Sequence, residues 1–165
     1  MRCDLHVHTK HSGMCTLPLL RRVCRESYND PLEVYETLKR SGMDLVTITD
    51  HDSIGAVETL RGKPDFFLSE EVTCTLPSGT ELHVGVYDIT ERDHIEMQRR
   101  RHDFESLFAW LFDNNLFFSA NQGGISGPCA PTLTRFPVHG SNPVADTLYV
   151  TSWGPAPLGA QFPVC

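Results

Sequence analysis

The chain has 165 residues (18.5 kDa), with 14 Lys and Arg against 21 Asp and Glu and a formal charge of -7. That is enough for one domain with a real core and too little for two ordinary ones, and the acidic balance excludes a protein that wraps nucleic acid through a uniformly basic surface. No apolar signal segment follows Met1, and no stretch approaches the roughly 18 apolar residues that span a bilayer, so the expectation is a cytoplasmic protein with no membrane partner.

In chain order, residues 2–8 read as a short strand. Leu5 and Val7 alternate with Asp4, His6 and His8, and a period of two puts His6 and His8 on one face. Asp30-Pro31-Leu32-Glu33 predicts a helix start: Asp30 caps, Pro31 takes the first turn and Glu33 completes a capping box. Leu32, Tyr35 and Leu38 follow at helical spacing up to Gly42. Residues 43–49 (MDLVTIT) read as a buried strand ending at Asp50-His51-Asp52, and residues 54–61 as a short helix. Two strands joined by a turn at Pro77-Ser78-Gly79 come next. Phe104, Leu107, Phe108, Leu111 and Phe112 then line a helix behind an Asp103 cap, and residues 116–120 (LFFSA) form the next strand. Strands alternating with helices predict an α/β layered or barrel architecture over residues 1–121. From Asn121 to Cys165, seven of 45 residues are proline and six are glycine, and the only charges are Arg135 and Asp146, so residues 122–165 are expected to be an irregular tail.

The chemistry gathers at predicted strand ends. Two imidazoles at i and i+2 on a strand offer one divalent ion two nitrogen donors. Asp50-His51-Asp52 adds a third imidazole with carboxylates able to ligate or to orient it, and Glu70-Glu71 and His83 end or begin the following strands. Each piece alone has a plain structural reading as an exposed pair, a helix cap or a satisfied strand residue. Their coincidence at strand ends of one unit favours a metal site. Cys3, Cys15, Cys24, Cys74, Cys129 and Cys165 are scattered without CxxC spacing and read as reduced thiols. Arg99-Arg100-Arg101 reads as a solvated helix face, and one of Arg21, Arg22 and Arg25 is a candidate phosphate clamp.

DLHVHT (4–9), LVTITDHDSI (45–54), EEVTC (70–74) and ELHVGVYDI (81–89) together resemble the PHP (polymerase and histidinol phosphatase) superfamily of metal-dependent phosphoesterases, over about residues 1–121. The resemblance implies a distorted (βα)7-type barrel holding two or three divalent ions (Mn, Zn or Fe) at the C-terminal ends of its strands. It implies that His6 and His8 bind one metal, that Glu71 bridges to a second held by His83, and that His51, supported by Asp50, serves a further site and the reaction. Three departures stand out. Gly13 occupies the place where many relatives carry an Asp, leaving His11 as a candidate substitute; Gln122 stands about where another His is expected; and the tail lacks the family's last Asp and His, with His139 reading as a loop residue. A closed βα barrel takes on the order of 200 residues, so the barrel is expected to be incomplete.

Two functions follow as expectations. One is a phosphoester hydrolase acting on a small phosphorylated metabolite or a nucleotide or oligonucleotide, without a stable nucleic-acid complex. The other is a noncatalytic, truncated remnant that binds metal without the complete cluster, its tail the product of a shifted reading frame or alternative terminus.

Overall fold

The computed structural model describes residues 2–13, 23–76, 79, 81–121, 130–137 and 147–154, with side chains described as far as Ser119. Helices α1 (Pro31–Arg40) and α2 (Val57–Leu60) precede strands β1 (Ser69–Thr75) and β2 (Glu81–Tyr87). Helices α3 (Glu91–Arg100) and α4 (Phe104–Asp113) follow, and then β3 (Phe117–Asn121), β4 (Ala130–Pro137) and β5 (Thr147–Gly154). The strands make one sheet in the order β1-β2-β3-β5-β4.

This architecture corrects the expected (βα)7 barrel. Among the described strands only β3 and β5 pair in parallel, while β1–β2, β2–β3 and β4–β5 are antiparallel. The cause lies in the connections. Residues 76–80 between β1 and β2 are too few for the crossover of a dozen or more residues that parallel neighbours need. Between β2 and β3 stand two helices, and the register places Phe117 opposite Tyr87, so the pair returns the chain to the end where β2 stops and β3 must run back. Of residues 122–165, the described stretches are β4 and β5.

Residues 2–8 and 43–50 are extended without joining the sheet as full strands. Two isolated parallel bridges link this part of the chain to the stretch leading into β1 and to β1 itself, Val46 with Phe66 and His51 with Glu71. Threonine hydroxyls take the places of ladder partners: Val7 donates its N–H to Thr49 Oγ1 (2.9 Å), and Thr47 Oγ1 donates to the Phe67 carbonyl (2.9 Å). Such local side-chain bonds compete with a regular ladder.

The helices obey their caps. Asp30 accepts from Leu32 N–H (3.0 Å) with Pro31 in the first turn, and Gly42, just past the end of α1, takes a left-handed φ of 81°. Thr90 and Asp93 form a reciprocal capping box for α3, and Asp103 caps α4. The core lies between the sheet and α3–α4. Val72, Cys74, Val84 and Val86 on one face meet Met97, Leu107, Phe108 and Leu111, while a smaller cluster of Ile48, Ala56 and Leu60 seats α2. Alternation along β1 and β2 sends Glu71 and His83 to the face opposite that core.

Candidate metal centre

The extended 2–8 segment delivers His6 and His8, the end of 43–50 delivers His51, β1 delivers Glu71 and β2 delivers His83. Glu71 is the hub. Its Oε2 lies 3.3 Å from His8 Nε2, 3.5 Å from His51 Nε2 and 3.6 Å from His6 Nε2, while its Oε1 lies 3.9 Å from His83 Nδ1. The rings are mutually packed, His6 edge-on to His8, His8 stacked on His51, and His51 edge-on to His83. His6 is half exposed at 51%, whereas the Glu71 side chain is only 2% exposed.

Glu26 completes the arrangement, and sequence reasoning missed it. Its Oε1 approaches His51 Nε2 to 3.2 Å. The segment carrying it is fastened over the histidine loop: Ser27 Oγ donates to the His8 carbonyl (3.1 Å), Glu26 N–H to the Gly13 carbonyl (3.2 Å) and Arg25 Nη1 to the Lys10 carbonyl (2.9 Å). No periodic pattern surrounds Glu26, so nothing in the sequence marked it.

Three groups have donor atoms within 4.8 Å of one another: His6–His8–Glu71, His8–Glu26–His51 and His51–Glu71–His83. A divalent cation fits this donor set. Both Glu71 oxygens and His51 Nδ1 are buried without a hydrogen-bond partner among the described residues. An uncompensated buried carboxylate costs several kcal/mol, and imidazole with carboxylate is a donor mixture that Zn, Mn or Fe accepts.

The electrostatics are uneven. Burial pushes His8 and His83 below the ordinary imidazole range, the neighbouring His51 adding to this in both, so each favours the neutral form that ligates. Burial also opposes charge on His51, but its hydrogen bond to Glu26 and the charges of Glu71, Glu26 and Asp52 outweigh that and raise it. Glu26 is held low by the same contact with His51, against the opposing effect of its burial.

Asp50 stands behind the cluster instead of in it. It is buried at 1% exposure and accepts from Thr9 N–H (2.5 Å), Thr9 Oγ1 (2.6 Å) and Ser12 Oγ (3.0 Å). His11 joins none of the three groups; its ring packs on Gly55, where an added Cβ would lie 2.6 Å from Nδ1. Glu70 faces the other side of β1, accepting from His94 Nδ1 (2.8 Å) and Gln98 Nε2 (3.1 Å) of α3. The three arginines of the 99–101 run are engaged internally, Arg99 and Arg100 with Glu96 and Arg101 with Asp52. Cys3, Cys24 and Cys74 are free thiols, and burial pushes Cys74 up to about 11. Arg21, Arg22, Gln122, His139, Cys15, Cys129 and Cys165 lie outside the described residues.

Among the described residues no helix is long and apolar enough to cross a membrane. No family model matches the chain. Over 67 residues it is 37% identical to an uncharacterized protein, MJ1587, of Methanocaldococcus jannaschii; the match takes in 40% of this chain and 38% of that protein.

Proposed function

We propose that the chain is a metal-dependent phosphoester hydrolase of the kind the PHP resemblance implies, acting on a small phosphorylated metabolite or a nucleotide. The observation that carries the proposal is Glu71: a carboxylate withdrawn from water, neither oxygen hydrogen-bonded among the described residues, ringed by four imidazoles. No arrangement of neutral neighbours compensates such a group as well as divalent cations do. His6 and His8 would hold one cation with Glu71 Oε2, and His51 and His83 another with the same carboxylate, Glu26 adding an oxygen beside His51. Bound there, the cations would supply Lewis acidity, activating water and offsetting charge on phosphoryl oxygens. His6, half exposed, marks the side open to substrate. The free thiols at Cys3, Cys24 and Cys74 are in keeping with a cytoplasmic setting.

A second reading, metal binding without turnover, is favoured by one observation: among the described side chains no ligand comes from beyond His83. Metal analysis of protein purified without chelator, paired with hydrolysis of an aryl phosphate in added Mn²⁺, separates the two. Two or more ions per chain, with turnover abolished in His8→Ala, is the result expected of the hydrolase. Bound ions with no turnover support the second reading, and a chain that takes up no ion sinks both.

A further inference from the structure

We infer that Asp50 acts through Ser12 to lock His8 in the tautomer that carries its proton on Nδ1, so that the Nε2 lone pair is aimed at the cluster before any ion arrives. The argument is a count of protons and lone pairs. Ser12 is buried, and its hydroxyl has three polar neighbours: Asp50 Oδ1 at 3.0 Å, His8 Nδ1 at 2.9 Å and the His51 N–H at 3.1 Å. A hydroxyl has one proton to give and two lone pairs to offer.

The His51 amide is a donor under all conditions, so it consumes one lone pair. A carboxylate offers only lone pairs, so the single Ser12 proton must point at Asp50; turned elsewhere, it would leave two oxygens facing each other at 3.0 Å with no hydrogen between them in a dry site. Thr9 cannot relieve this, because its own hydroxyl proton is already committed to Asp50 Oδ2 at 2.6 Å. The remaining Ser12 lone pair then faces His8 Nδ1, which has to donate. In the neutral ring Nε2 is then the nitrogen without a proton, 3.3 Å from Glu71 Oε2 and 2.8 Å from His6 Nε2, from which it accepts. An imidazole whose far nitrogen donates to a fixed acceptor is held in orientation and made a better ligand, and loss of such a partner costs about 10- to 100-fold in metal affinity.

Asp50 and Ser12 are therefore positioning residues. The same Ser12 oxygen, by accepting the His51 amide, ties the start of the chain to the end of the 43–50 segment, so two imidazole-bearing segments share one fastening point. The purpose assigned to the relay rests on the metal-binding reading above, whereas the tautomer itself does not, and the test keeps them apart.

Imidazole ¹⁵N resonances of the chelator-treated protein report the tautomer directly. The expected result is a protonated Nδ1 and a bare Nε2 at His8 in the unsubstituted protein. Ser12→Ala should lose that preference, and its Zn²⁺ affinity by chelator competition should fall about 10- to 100-fold, with Ser12→Thr, which restores the hydroxyl, recovering both. A His8 protonated on Nε2 in the unsubstituted protein overturns the inference whether or not any variant folds, and so does a Ser12→Ala protein that keeps the Nδ1 proton. A chain with the expected tautomer that takes up neither Zn²⁺ nor Mn²⁺ overturns the metal-binding reading, and with it the purpose given to the relay.

Discussion

Glu26 and Glu71 show how differently two carboxylates serve one cluster. Glu71 is buried and central, while Glu26 arrives from a fastened loop and meets His51 at 3.2 Å. Glu26→Gln keeps the shape and removes the charge, so it is expected to lower the bound-ion count without emptying the His6–His8–Glu71 position; an unchanged count by metal analysis would reduce Glu26 to a partner that orients His51. His6, His8, His51, Glu71 and His83 were legible as a set because each sits at a predicted strand end, where an alternating pattern says which way a side chain faces. Asp50 was legible as a residue but not in its task, since only the folded chain shows it spending both oxygens on Thr9 and Ser12. Glu26 was not legible, for its approach depends on Ser27, Gly13 and Lys10 fixing a loop that carries no period.

Helix ends follow their local chemistry closely. Lys10 and the Leu32 N–H hold the Asp30 carboxyl below the usual aspartate range. A carboxyl depressed in the folded state contributes stability that is complete above its unfolded value, about 3.9, and is lost as pH falls through the lower folded one. Asp30→Asn, which keeps a cap oxygen but gives up the charge, should accordingly show a flatter loss of stability below about pH 4 by denaturant titration; an identical acid limb would count against the assignment. The starts of α1 and α4 could be read from Asp30-Pro31 and Asp103 because a cap acts over three or four residues. Strand direction could not be read that way. It is decided by what lies between strands, and the five residues 76–80 and the paired helices α3 and α4 produce antiparallel neighbours where a βα repeat was expected.

At the scale of the whole molecule, the cluster of imidazoles and carboxylates is a fault line in stability. Its side chains come from five chain segments gathered around the buried Glu71, so ions that bind only the folded state should raise its stability by about 2.7 kcal/mol at a hundred times their dissociation constant. Glu71→Met, similar in volume and uncharged, is expected to leave the chelator-treated protein as stable as before or up to about 4 kcal/mol more so, and to abolish the rise in Tm on adding Zn²⁺. A Zn²⁺-dependent rise that persists in that variant would remove Glu71 from the centre. The neighbouring carboxylates of β1 bear on how the chain finds this state. Glu70 and Glu71 face opposite sides, one toward His94 and the other toward His8, and a slip of one residue would turn each to the other face. Both carboxylates would move the same way along β1, so at most one of them would meet the other's imidazole, and the same slip would turn Val72 and Cys74 out of the apolar core while turning Thr73 in. Fidelity in assembling the cluster thus rests in part on two side chains that never face it.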